Sequence, residues 1–510
     1  MHKTVIQILK NMLTGWGAVG LQAAIGLFMV PFLLGQLGRD GYGVIGILMS
    51  VIGFAEIADL GLRSALNREL SEMVALQDKA GFQRLSSSAL VLYIGIALLI
   101  GGVGAAFAPA LCSLFNVNDE YVGLMTLLLR TYAPLTVLIS FVTPVFTAGI
   151  SSFMRYDVQN NISMFAQLCI SLMLFICLTV FDVNPLIIWC AVMVLGAVIR
   201  LGVMGLFYRK ICYGGVLGMR HIYWGSLLPL FKLGGSMYVL QLTQMLAQRM
   251  DPLIISRYLG LGGVALYQAG SRLPQMVSPI VLAAVNQLTP LTTKYHVGDN
   301  WDREQQILIL GTKYTLYLGA FFSAAMILFA DSFCRLWLFD KLGEDVKTVS
   351  LVLKMWAVAN LFNYAGGAHW PILLGKKRMK FAVWLNVPTA IFNVILSVFL
   401  VGYTELGIVG VLVGTVISEC IRRPIAAVYV SKLVGVPFWR YVAKAYMFPV
   451  SYAALLLVTG WWSVGQHQVV SWSQLLAYGA VYCLLALGAI LFFEHKIVLS
   501  SLNAGFRRSA

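Results

Sequence analysis

Charge is what this 510-residue chain has least of. Only 11% of its residues are Asp, Glu, Lys or Arg, against 59% hydrophobic, and its mean hydropathy is +0.83. A soluble domain carries about a quarter of its residues as charges, so this sequence cannot coat a globule with polar surface. It also lacks the spacings that site chemistry leaves behind. The eight cysteines stand singly, without a C-x-x-C pair. They read as packing residues, Cys112 and Cys334 alone falling near a common (outer) face. The six histidines form no H-E-x-x-H set, so no metal is expected, and no G-x-x-x-x-G-K-[ST] loop is there to hold a nucleotide. The longest loops, around 67–84, 208–232 and 293–313, leave no room for a catalytic domain, which argues against an enzyme. No basic folded domain exists to bind nucleic acid.

What is present is apolar runs, recurring from end to end, each long enough to cross a hydrocarbon core of about 30 Å. The reading is an all-α polytopic membrane protein with about fourteen transmembrane helices. They are placed near 12–37, 44–66, 85–110, 122–146, 161–181, 186–207, 233–256, 264–292, 312–331, 350–372, 381–401, 408–430, 445–465 and 473–493. The first run is too long for a signal-peptide core and is expected to stay in the mature protein. With the N-terminus inside, twenty-three Lys and Arg residues fall in inner segments and five in outer ones. That bias predicts both termini in the cytoplasm and accounts for the formal net charge of +15.

Two stretches look alike. FLLGQLGRDGYGVI (32–45) and IISRYLGLGGVALY (254–267) align with Leu37-Gly38 on Leu259-Gly260 and Gly41 on Gly263. A six-helix repeat follows, an even number, so both copies enter the membrane the same way. The expected divisions are a lobe at 1–210, a linker at 211–232, a second pseudo-symmetric six-helix lobe at 233–432, and two further helices with a tail at 433–510.

Several helices carry polar stripes. At 100° per residue Glu56, Asp59, Arg63 and Asn67 share one face of the second helix. Gln241, Gln244, Gln248 and Asp251 line the seventh, and Gln268, Arg272 and Gln275 the eighth. A charge at the bilayer centre costs about 2.5–3.5 kcal/mol on insertion scales, so these faces must meet protein or water. Arg130 and Arg249 have no acid at i±3 or i±4. The plainer alternative is interhelical bonding, worth about 0.6 kcal/mol per pair on average. Under it Asp59 with Arg63, Asp251 with Arg272, and Glu419 with Arg422 and Arg423 are structural ion pairs, while Lys354 snorkels to the outer face.

DLGLRSALNREL (59–70) and MDPLIISRYLGLGGVALYQAGSRL (250–273) resemble segments of polysaccharide and O-antigen exporters in the MATE-like superfamily of multidrug, oligosaccharidyl-lipid and polysaccharide transporters. The resemblance covers essentially the whole chain. It implies two six-helix bundles forming a cleft that alternates between faces of the cytoplasmic (inner) membrane. It also implies a lipid-linked oligosaccharide, carried on undecaprenyl pyrophosphate, as cargo. Asp59, Gly61, Arg63, Asp251, Tyr267 and Arg272 match positions typical of the family. The cargo suits the residues: Arg63, Arg130, Arg249 and Arg272 would replace pyrophosphate hydration bidentately. Gln241, Gln244, Gln248, Gln268 and Gln275 would serve sugar hydroxyls. Glu56, Asp59 and Asp251 are coupling candidates for a proton or sodium, and they equally suit a cation-coupled multidrug exporter. Glycosyltransferases or polymerases are the partners such an exporter would have, beside the membrane lipids themselves.

Overall fold

Glycine decides where the first long helix bends. In the computed structural model α1 runs from His2 to Ala55, interrupted at Gly38, whose φ of 68° and ψ of 179° suit only a residue without Cβ. The structure describes residues 2–509 apart from 60, 215–216, 229, 231–234, 287, 289–291, 293–294, 297–299 and 465–468. All regular structure among the described residues is helical. After α1 come α2 (Leu62–Ala75), α3 (Lys79–Ala106), the short α4 (Ala108–Leu114), α5 (Asp119–Ser152), α6 (Tyr156–Val180) and α7 (Pro185–Ile211). Then follow α8 (Gly235–Asn286), α9 (Trp301–Leu342), α10 (Val346–Tyr364) and α11 (His369–Gly375). The chain closes with α12 (Met379–Tyr403), α13 (Ile408–Leu433), α14 (Phe438–Ala445), α15 (Met447–Val464) and α16 (Trp472–Ser509).

α8 repeats the break of α1. Gly260 has φ 72° and ψ −176°, the angles of Gly38 to within a few degrees, at the position aligned with it. Split at these two glycines, the long helices account for the fourteen segments expected. Nine stretches among the described residues are long and apolar enough to cross a membrane, one of them (Trp301–Gly375) holding several helices. α8 and α13 fall outside those nine. They are the helices that carry Arg249, Asp251 and Arg272, and Glu419, Arg422 and Arg423.

One expectation fails. The second helix was expected to run unbroken over 44–66, presenting Glu56, Asp59, Arg63 and Asn67 on one face. Instead α1 ends at Ala55, Glu56–Asp59 is a 3₁₀ turn, and Gly61 turns left-handed (φ 74°) before α2 starts. A 3₁₀ turn advances about 120° per residue, so the 100° stripe does not survive it. α2 is instead an amphipathic helix whose Leu62, Ala65, Leu66 and Leu70 are buried.

The chain forms two compact units, Met1–Gln268 and Ala269–Ala510. In the first, α1 beyond Gly38 meets α8 along a stripe of small residues. A Cβ on Gly43 would lie 2.1 Å from the Leu261 carbonyl oxygen, and one on Gly46 would lie 2.6 Å from Val264. The second unit packs α15 and α16 onto α9 through Tyr317, Ala320, Ala324, Tyr452, Leu456 and Tyr482. Tyr482 donates to the Phe321 carbonyl at 2.6 Å. Lys354 does not snorkel freely: its Nζ donates to Asp331 at 2.6 Å, tying α10 to α9. Cys112 and Cys334 are buried free thiols, whereas Cys420 and Cys483 are exposed, so the packing reading does not hold for all eight.

Candidate functional site

In the first unit the charged residues of α8 are seated by the glycines of α1. Arg249 lies over Gly53, where a Cβ would come within 2.5 Å of its Nε, and its Nη1 reaches the Met49 carbonyl at 3.5 Å. Gln268 packs on Gly46 in the same seam. The repeat explains the fit. An offset of 222 residues carries Gly38 to Gly260, and likewise Asp40 to Gly262 and Gly46 to Gln268. Gly262 lies against Arg39 and Asp40, and Gly46 against Gln268. These two pairs therefore meet across the repeat, as elements related by a two-fold do. Around the two glycine turns opens a cavity of about 550 Å³, lined by Arg39, Asp40, Asn118, Tyr121, Leu259 and Gly262 among others. Asn118 donates to Asp40 there at 2.9 Å.

Asp251 is 2% exposed, and Tyr267 donates its hydroxyl to it at 2.6 Å. Both belong to α8, one on each side of the Gly260 break. Removing the donor leaves a buried acceptor short of a bond, a loss of about 1–3 kcal/mol. Tyr267→Phe is expected to lower the thermal melting of the detergent-solubilised protein by several degrees, while Asp251→Asn, which keeps an acceptor for the Tyr267 hydroxyl, melts closer to the native protein. Equal melting of Tyr267→Phe and wild type would show the bond to be idle.

The remaining expected residues disperse. Asp59 is buried, with Tyr93 beside it, and accepts the Arg63 backbone N–H at 3.4 Å, at the start of α2. The Arg63 side chain is exposed, as is Arg130 on α5. Asn67 accepts from Ser151 at 2.7 Å. In the second unit Arg272 is half-buried, and its Nε makes no hydrogen bond among the described residues. Gln275 is exposed and bonds Ser271 at 3.1 Å. The side chains of Glu56, Gln241, Gln244 and Gln248 lie outside the described residues.

The densest intramembrane charge is in the second unit, and its cross-helix contacts had no signal in the sequence. Glu419, Arg422 and Arg423 on α13 do pair at i+3 and i+4, Arg423 Nε reaching Glu419 at 2.7 Å. Both arginines then go further. Arg422 donates to Asn386 on α12 at 2.5 Å, and Arg423 donates to Asn363 on α10. Pro388 and Pro424 sit one or two residues from these contacts and loosen both helices there. Gly366 leaves the space that Arg423 fills, since a Cβ would be 2.2 Å from its Nη1. His369, also against Gly366, bonds Tyr441 at 2.9 Å, and Tyr441 bonds Thr312 and Tyr446.

One carboxylate thus faces two guanidiniums, a net charge of +1 at membrane depth. Each guanidinium carries five N–H donors, and the bonds above use two from each. The unused donors, flanked by two amides, suit an oxyanion with polar groups beside it.

A family model described as polysaccharide biosynthesis protein matches residues 36–296, from the first glycine turn past the end of α8. This chain belongs to that family. The matched stretch holds Gly38, Arg63, Arg249, Asp251 and Gly260, whereas the Glu419 cluster lies beyond it. The chain is also similar to the uncharacterized membrane protein EpsK of Bacillus subtilis (strain 168), 22% identical over 472 residues and 90% of each chain. Among solved structures it resembles an inward-facing multidrug resistance MATE family transporter of the MOP superfamily. That match has a TM-score of 0.67 at 16% identity, covering 81% of this chain and 94% of that one. It resembles the lipid II flippase MurJ in an inward closed conformation equally well, with a TM-score of 0.66 at 15% identity over 94% and 99%. At such identities these structures establish the fold.

Proposed function

We propose that this polysaccharide biosynthesis family member flips an undecaprenyl-pyrophosphate-linked oligosaccharide across the inner membrane by alternating access, with both termini in the cytoplasm. The observation that carries the reading is the cationic cluster of Arg422 and Arg423 with Asn363 and Asn386. A pyrophosphate crossing hydrocarbon needs its hydration replaced, which guanidinium forks do with two parallel bonds each. The amides donate and accept, as sugar hydroxyls require. A carrier of organic cations would present the reverse charge. Proton or sodium coupling falls in this reading to the buried acids Asp59 and Asp251. Within the first unit, Arg63 and Arg249 are the candidate head-group contacts in this reading.

The test is surface-glycan complementation beside membrane-fraction immunoblots. Arg422→Gln with Arg423→Gln is expected to abolish surface glycan, and adding Glu419→Gln to the pair, which leaves no carboxylate stranded, is expected to restore protein level without restoring glycan. Arg423→Lys restores part, because a point charge lacks the fork. Full complementation by the double glutamine variant would remove the cluster from the transport path. Hypersensitivity of the null strain to cationic drugs, with glycan intact, would favour the multidrug reading instead.

A further inference from the structure

Arg200 is a further intramembrane guanidinium, in the first unit. It stands on α7 eleven residues before Ile211, or about 16 Å of helix. Its surroundings form a groove between α6 and α7 lined by Ile162, Phe165, Ala166, Cys169, Ile170 and Val203, without another charged side chain among its lining residues. Gly196 lets the helices close here: a Cβ on it would lie 2.2 Å from Ile170. Among the described residues Arg200 has no hydrogen bond or ion pair, and its Nε is buried without a partner. The rim of the groove is apolar and open, with Phe165 at 66% and Ile199 at 47% exposure. In a membrane protein such a face meets lipid chains.

A guanidinium does not shed its proton in a protein. Left alone in hydrocarbon it is costly, and among the described residues no acid pairs with it, Asp157 of α6 being bonded to Lys10 and Arg155. The groove offers one cation and an apolar wall, and the complement is an amphiphile with an anionic head and hydrocarbon chains. We propose that the α6–α7 groove binds an anionic membrane phospholipid, its phosphate on Arg200 and its acyl chains along Phe165, Met173 and Ile199. The phosphate is drawn inward by local thinning of the bilayer. This site is independent of what the protein transports.

The probe is phosphatidylglycerol, and the measurement is native mass spectrometry of the full chain released from detergent micelles. Wild type is expected to keep one phosphatidylglycerol that resists delipidation, and phosphatidylcholine, whose head group is zwitterionic, is not kept. Arg200→Gln is expected to weaken that binding by about tenfold or more, the loss of a charge-assisted bond. Arg200→Lys keeps the lipid with weaker retention and covers the case in which the glutamine variant fails to fold. Equal retention by wild type and either variant overturns the assignment. So does displacement of the lipid by micromolar polyprenyl diphosphate, which would give the groove to the carrier lipid.

Discussion

Replacing Glu494 with glutamine should destabilise the second unit more than any other single change proposed for it. Glu494 on α16 and Lys313 on α9 form a buried ion pair, their side chains 5% and 9% exposed. Tyr317 donates to the same carboxylate at 3.0 Å. Among the described residues the ammonium also meets two aromatic faces, Phe448 at 5.2 Å and Tyr317 at 5.9 Å from the ring centres. Removing one partner of a buried pair leaves the other charge uncompensated, at a cost of about 3–5 kcal/mol. Glu494→Gln should therefore melt well below wild type in detergent and shed the packing of α16 on α9. Lys313→Met with Glu494→Leu should recover most of the loss, because neither charge is then stranded. A single variant that melts like wild type would mean that solvent reaches the pair.

The second large effect is steric, at Gly43. An added methyl would sit 2.1 Å from the Leu261 oxygen and 2.7 Å from its carbonyl carbon. Those are backbone atoms beside the Gly260 break and cannot rotate away, as the tip of a side chain could. Overpacking of this kind costs about 1–3 kcal/mol, and here it acts on the seam that seats Arg249 and Gln268. Gly43→Ala should reduce surface-glycan export at least as strongly as loss of Arg249, while Gly20→Ala, with open space around its Cβ position, should be silent. Crosslinking between cysteines at 42 and 264 would report the seam directly. Native crosslinking in Gly43→Ala would contradict the predicted separation.

Run length and hydropathy made the helices legible, and the pairing of Gly38 with Gly260 was readable because a positive φ admits little besides glycine. The break at Gly61 was not readable, since a glycine within an apolar helix is often tolerated and only its left-handed angle ends the helix. α9 extends well beyond the expected 312–331 because its polar ends leave no hydropathy signal. The i, i+3, i+4 spacing exposed Glu419, Arg422 and Arg423 as a group but gave no hint of Asn386 or Asn363. Contacts between helices leave no periodicity in either one. Lys313 and Glu494 are separated by most of the second unit, and Arg200 stood alone on its helix with nothing beside it to mark a stripe.

The central claim is that the guanidiniums of α13 carry a lipid-linked pyrophosphate across the bilayer. Translocation of a fluorescent polyprenyl-pyrophosphate oligosaccharide in proteoliposomes tests it most directly, scored by protection of the label from an impermeant quencher. Wild-type protein should equilibrate the label between leaflets, and Arg422→Gln with Arg423→Gln should leave it where it was added, as in protein-free vesicles. Equal translocation by the double variant and wild type would contradict the account.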